Sequence, residues 1–253
     1  MKNYNSKFKK VFSLNFALLI FIFKFFIYTP AASSFNIPEK LQYDLTWAGI
    51  KAGESILEAK DNGSHIQFIS KAKSAKWVSI FYTVEDTVVT TLKKERFQNF
   101  VGIPQNYRIK LREGKHRRDK EIVFDHAAKK AKYINHLNNE AASFDINDST
   151  LDPLSCFYYV RRLPLEVGKS VFIEVFDSKK LYKVEIQVLN KETVETPAGT
   201  FKTILIKPII KSEGIFYRKG DILIWLTDDE KRTPVLLKTK IPVGSVKAVL
   251  VGK

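Results

Sequence analysis

From Leu41 onward the chain keeps setting apolar and polar residues in strict alternation. Leu41, Tyr43, Leu45 and Trp47 alternate with Gln42, Asp44 and Thr46. Tyr107, Ile109 and Leu111 alternate with Arg108, Lys110 and Arg112, and Tyr182, Val184, Ile186 and Val188 with Lys183, Glu185 and Gln187. Successive side chains of a strand point to opposite faces, so this period gives each segment one face that packs and one that meets water. A chain patterned this way is confined to sheet architectures.

The punctuation says how the strands connect. Asp61-Asn62-Gly63, Glu113-Gly114-Lys115, Thr196-Pro197-Ala198-Gly199 and Pro242-Val243-Gly244-Ser245 are turn formers between strand-like runs. Proline presets one turn dihedral and glycine or asparagine accepts a positive φ, so these stretches make tight connections between antiparallel neighbours. Further strands are read over Glu54–Lys60, Ser64–Lys73, Val84–Leu92, Arg117–Asp125 and Lys129–Ile134. Ile222 to Leu226 is apolar on both faces, which suits a central strand covered on both sides. A Gly49/Gly53 turn is expected after Trp47, and residues 135–149, rich in Asn, Asp and Ser, read as a loop. Ala75 to Tyr82 lacks alternation and reads as a short helix or a loop with buried aromatics.

One helix stands out. Asp152 or Thr150 can cap it and Pro153 suits its first position; Leu154, Phe157, Tyr158 and Arg161 follow at helical spacing, and Pro164 ends it. The fold class is therefore mainly β. An antiparallel meander forms a strongly curved sheet, a half-barrel or two packed sheet halves, with one short helix near residues 152–163. Residues 35–253 read as a single β-rich domain, whose halves 35–149 and 165–253 are joined by the helical segment 150–164.

The order TPAGTF (Thr196 to Phe201), IWLTDD (Ile224 to Asp229), RTPV (Arg232 to Val235) and PVGSVKA (Pro242 to Ala248) resembles an exported bacterial family, domain of unknown function 3108. Trp47 to Gly53 and the Asp152-Pro153-Leu154-Ser155 helix start come in that family's order, and the likeness covers most of residues 39–251. The resemblance implies a fold and an exported setting; it implies no activity.

The first residues agree with export. Lys2, Lys7, Lys9 and Lys10 precede an apolar run from Val11 to Tyr28 that only Lys24 interrupts, and Thr29 to Ser34 offers small residues for signal peptidase. Residues 1–34 thus read as a cleaved signal peptide, and the protein as periplasmic. The rival is an inner-membrane anchor over residues 11–28, eighteen residues that barely span a core of about 30 Å. Removing residues 1–34 lowers the formal charge from +15 to +10. Cys156 is the single cysteine, so no disulfide can form within the chain, and no Cys-based metal framework or lipoprotein cysteine exists.

Two groups of residues are candidate sites. Tyr43, Trp47, Phe68, Trp77, Phe81 and Trp225 could line a cavity for an acyl chain or another apolar ligand, against their ordinary use as core. Lys110, Arg112, Arg117, Arg118 and Lys120 make a basic hairpin that could meet lipid head groups, lipopolysaccharide or acidic glycans, against the role of a solvated outer face.

His116, His126 and His136 recur every ten residues without metal-ligand spacing, so no metal or other cofactor is expected. Cys156, Ser155 and the pair Asp228/Asp229 each lack the partners that catalysis requires, and no phosphate loop is present. No nucleic-acid motif occurs. These readings point to a non-enzymatic exported protein that binds a lipid, a glycolipid or an acidic envelope polymer, or that assists envelope assembly. Its contact with the membrane is through the leader or transient. The alternatives are an adaptor that takes an envelope protein by strand addition and, last, an envelope glycan or ester hydrolase.

Overall fold

A computed structural model describes residues 36–95, 100–211, 222–240 and 244–252. The leader expected at 1–34 lies outside the described residues, as do Gly220-Asp221 and the Pro242-Val243 half of the last turn. The alternating runs form strands β1 (Glu39–Trp47), β2 (Ile50–Asp61), β3 (His65–Ser74), β4 (Glu85–Lys93), β5 (Ile103–Glu113), β6 (His116–Asp125), β7 (Lys130–Asn135) and β8 (Glu140–Asp145). After a helix the chain continues as β9 (Ser170–Asp177), β10 (Lys180–Thr196), β11 (Gly199–Lys211), β12 (Ile222–Thr227), β13 (Pro234–Lys240) and β14 (Ser245–Gly252). The helices are α1 (Lys76–Ser79) and α2 (Pro153–Val160).

All fourteen strands lie in one antiparallel sheet, in the order β8 back to β1 and then β14 back to β9. The two halves are joined by β1 on β14, where Tyr43 pairs with Leu250 and Leu45 with Ala248. The hydrogen-bonded sheet is not closed: β8 and β9 are its edges. Side chains and the Leu151 backbone span the gap between them. The Phe144 and Phe176 rings lie 5.5 Å apart, Lys179 pairs with Glu140, and Leu151 bonds the β9 edge through its own N–H to Glu174 O (3.0 Å) and its carbonyl to Phe176 N (2.9 Å). The result is barrel-like, one continuous curved sheet and not two packed halves. All these strands and both clusters of the core come from residues 36–252, which lie within one compact unit, so this part of the chain carries a core of its own.

Helix α2, which joins the two halves in sequence, lies inside the curve. Asp152 caps it, accepting from the N–H groups of Leu154 and Ser155, both at 2.9 Å. Its Tyr158 ring stacks on Phe68 of β3 with centroids 3.8 Å apart, and the main cluster collects Phe68, Leu92, Ile122, Tyr133, Ile173, Ile186 and Leu226 around it. A second cluster lies around Trp225, where the tip of the long β10–β11 hairpin brings Val194, Ala198 and Phe201 against Trp225 and Leu205. Trp225 Nε1 donates to Glu192 of that tip. This hairpin is the second cover that the two-faced run Ile222–Leu226 requires.

Three local expectations change. Residues 140–145 of the expected loop form β8, paired with β7 from Lys130↔Asp145 to Asn135↔Glu140; pairing with a neighbour overrides the poor strand propensity of Glu-Ala-Ala-Ser. Gly53 is not in the turn, which is made by Ala48 and Gly49 at positive φ. It lies in β2 beside a register shift, where a Cβ would collide with the Lys73 carbonyl. The aromatics of the Ala75–Tyr82 stretch are exposed, not buried.

Candidate functional site

Residues paired across neighbouring strands share a face, so the register shows which side chains look inward. One inward row runs Ala59, Phe68, Thr90, Tyr107, Ile122 and Tyr133, and it is buried throughout. Moving along the strands toward the β1–β2, β5–β6 and β9–β10 turns, the next inward rows include Ser70, Val88, Ile109 and Lys120, then Ser55, Ala72, Asp86, Leu111 and Arg118. Ile109 is buried, whereas the others are only half-buried although they face the inside. Val88 and Leu111, together with Phe157 of α2, Tyr182 of β10 and Leu237 of β13, are partly buried against the main cluster. Among the described residues the barrel is therefore packed around α2 and more open to solvent on the β2–β6 side toward these turns, above an apolar floor.

Arg118 and Lys120 stand in this opening. Arg118 pairs in register with Leu111, and Lys120 with Ile109, so both point the same way as core residues. Lys120 Nζ lies 5.5 Å from the centroid of the buried Tyr133 ring, a cation–π contact. Lys179 lies 5.0 Å from the same ring and pairs with Glu140. Among the described residues neither Arg118 nor Lys120 makes an ion pair. The nearby carboxylate, Asp86, spends Oδ1 on the Arg112 N–H at 3.1 Å. Burial pushes the Asp86 carboxyl up, and the bond from Arg112 and the charge of Arg118 only partly offset it.

The outer face of the same hairpin is different. Arg108 binds Asp119 at 2.6 Å and Glu121 at 2.7 Å; Glu121 also accepts from Asn106 (2.6 Å) and contacts His136 (2.7 Å). Arg112 reaches Glu85 at 3.5 Å, and Arg117 donates to the carbonyls of Gly114 and His116. Of the five expected anion-binding residues, Lys110, Arg112 and Arg117 face out and only Arg118 and Lys120 face in.

The six aromatics expected around one cavity occupy three separate places. Phe68 packs in the main cluster, stacked on Tyr158 of α2, whereas Tyr43, donating to Pro234 O at 2.8 Å, belongs to the second cluster. Trp225 shares that second cluster, under the β10–β11 tip. Trp47 stands beside the β1–β2 turn, while Trp77 and Phe81 lie exposed on and after α1. Strand parity and a hairpin that covers the outer face separate residues that composition alone groups together. The floor residues Val88, Leu111, Phe157, Tyr182 and Leu237 escape sequence reading because ordinary core residues look the same. The signal available was the inward parity of Leu111 and its partner Arg118.

The remaining polar groups have structural employment. Asp152, fully buried, also accepts from Ser155 Oγ (2.5 Å) and Thr90 Oγ1 (2.7 Å), tying α2 to β4. Burial raises its carboxyl despite these bonds. Burial, with the charge of Asp152 adding to it, pushes the Cys156 thiol up to about 12. Asp229 closes its turn by accepting from the Lys231 and Arg232 N–H groups, and Asp228 pairs with Lys191 and Arg232. His126 stacks on Phe124, His136 belongs to the Glu121 network, and His116 opens β6 opposite Glu113.

A family model described as "Protein of unknown function (DUF3108)" matches residues 42–251. The chain belongs to the DUF3108 family. Among solved structures, the "Beta-barrel-like Protein of Domain of Unknown Function DUF1849 from Brucella abortus" is similar with a TM-score of 0.56 at 10% identity, covering 86% of this chain and 97% of that one. This likeness shows that the β-barrel-like fold is shared. A candidate exported protein with a YmcC-like fold from Bacteroides fragilis matches with a TM-score of 0.32 at 11% identity, over 86% of this chain and 95% of that one. No curated protein matched the chain.

Proposed function

We propose that this DUF3108 protein is exported and, without catalysing a reaction, binds an anionic amphiphile, a lipid or glycolipid, in the open end of its barrel. One observation carries the reading: Arg118 and Lys120 face inward beside the half-buried Val88 and Leu111 and make no ion pair among the described residues, Asp86 acting on Arg118 only through its charge. A cation held against an apolar wall is unfavourable unless an anion joins it, and a low-dielectric wall strengthens that attraction. An amphiphile satisfies both parts, its chain against Val88, Leu111, Phe157, Tyr182 and Leu237 and its head group on the two cations. The lysine-led apolar segment at residues 2–28 supports export. Strand addition is less favoured, because the β9 edge is already held by Leu151 at Glu174 and Phe176.

The test is titration of residues 35–253 with lysophosphatidylglycerol and with zwitterionic lysophosphatidylcholine, each below its micelle concentration. The anionic lipid should bind more tightly, with an affinity that falls as salt rises. Arg118→Glu/Lys120→Glu should weaken it by about tenfold or more, the scale of two lost charge-assisted contacts. The outward pair Arg112→Glu/Arg117→Glu should leave it unchanged. Equal binding of both lipids, or an unaffected inward variant, contradicts the reading.

A further inference from the structure

We infer that the turn after α1 docks the open end of the barrel onto an anionic lipid bilayer. The inference deepens the reading above and rests on it, since it names the surface from which the amphiphile would enter.

The turn is an unusual use of apolar surface. Ile80 is 76% exposed and Phe81 84%, with Trp77 at 41% and Tyr82 at 51% beside them. Consecutive large apolar side chains held in water mark an interaction site. They are not on a loose loop. The N–H groups of Phe81 and Tyr82 both bond Val78 O, at 2.9 and 2.8 Å, and Ser79 Oγ is 2.7 Å from Ser74 Oγ. Trp77 Nε1 donates to Lys51 O at 3.0 Å, which joins α1 to the β1–β2 turn and its own exposed Ile50.

The same turn is joined to the basic hairpin. Gly114 N donates to Thr83 O at 2.8 Å. The Tyr82 ring lies so close over Gly114, which has a positive φ, that a Cβ there would be 2.7 Å from its Cε2, so a larger residue would have to push the ring aside. That contact sets exposed Lys115 and Arg117 beside Tyr82, while Lys73 and Lys76 flank the turn on its own chain segment. The exposed carboxylates close by are engaged, Glu54 by Lys51 and Glu85 by Arg112. An aliphatic and aromatic tip flanked by Lys73, Lys76, Lys115 and Arg117, none of which makes an ion pair among the described residues, matches an interface in which acyl chains lie beneath anionic head groups. Arg118 follows Arg117 directly and faces into the opening, so docking by this tip turns the mouth toward the lipid.

The experiment uses residues 35–253, which carry the whole described fold without the apolar leader. Phe81→Cys is labelled with an environment-sensitive nitrobenzoxadiazole dye; the buried Cys156, its thiol pushed up to about 12, does not compete for label. Vesicles of phosphatidylglycerol and phosphatidylethanolamine should raise and blue-shift the emission, and vesicles of phosphatidylcholine should do so much less. Ile80→Ser/Phe81→Ser should lower vesicle affinity about tenfold or more, given the apolar area removed. Lys115→Glu/Arg117→Glu should lower it and flatten its salt dependence. Both variants should bind lysophosphatidylglycerol as the parent does. A dye that stays water-exposed on anionic vesicles, or a serine variant that binds them as well as the parent, overturns docking and leaves the head-group site standing. Docking without any lysolipid binding would instead defeat the head-group site alone. A dye that is buried only when an envelope protein is added, and not by vesicles, also overturns the inference.

Discussion

The guanidinium of Arg161, fully buried at the end of α2, grips the carboxylate of Glu39 at the start of β1 through two parallel hydrogen bonds of 2.7 and 2.8 Å. The same side chain donates to the carbonyls of Arg232 (3.0 Å) and Lys231 (3.1 Å) and lies 5.3 Å from the Tyr158 ring centroid. One residue thus ties the enclosed helix to the first strand and to the β12–β13 turn. Removing one partner of a buried pair strands the other charge. Glu39→Ala should therefore destabilise the protein by about 3–5 kcal/mol in urea unfolding. A loss below about 1 kcal/mol would place the pair in the class of solvated surface bridges.

The cap of α2 is also its tether to the sheet. Asp152 accepts four hydrogen bonds, from Leu154 N, Ser155 N, Ser155 Oγ and Thr90 Oγ1. Asp152→Ala should cost about 2–4 kcal/mol, a lost cap plus buried hydroxyls left short of a partner. Asp152→Asn keeps an acceptor at the cap and should cost less than half as much. Urea unfolding of the two variants checks the order.

Most of the sheet was legible because its signal is local. Period-two runs and Asn-Gly or Pro-x-Gly turns mark a strand and its turn without reference to anything distant, and β1, β5 and β10 follow from them. The cap Asp152 and Pro153 at the first helical position were legible for the same reason. What was not legible depends on register. The β6 sequence His-Arg-Arg-Asp-Lys-Glu gives no alternation until Ile122, so nothing in it separates the outward Arg117 from the inward Arg118. The position of the Gly114-Lys115 turn decides that, by setting Leu111 opposite Arg118. The pairing of β1 with β14 and the placing of α2 inside the curve are long-range events that no window of sequence encodes. Trp77 and Phe81 show the converse error: aromatic residues read as buried are exposed, on and just after a four-residue helix that buries none of its residues.

The outer network predicts a pH dependence. Burial pushes the Glu121 carboxyl up, but hydrogen bonds from Asn106 and His136 and the charge of Arg108 outweigh it, so the net shift is downward. A carboxyl lowered in the folded state adds stability that is complete above its unfolded pKa of about 4.3 and is lost as pH falls through the lower folded value. Glu121→Gln should therefore lower Tm at pH 7, and the gap to the parent should close as the pH falls below about 4. Thermal melts between pH 7 and pH 3 read this directly. A gap that stays constant would mean Glu121 contributes packing alone.

The central claim is that the inward Arg118 and Lys120 hold the head group of an anionic amphiphile. Native mass spectrometry of residues 35–253, purified gently from an envelope fraction and followed by solvent extraction, tests it most directly. The account predicts a reproducible extra mass that extracts as an acidic lipid or glycolipid and that is lost from Arg118→Glu/Lys120→Glu. A parent chain that comes off bare and takes up no lipid when it is offered, or an adduct that persists equally in the variant, would contradict it.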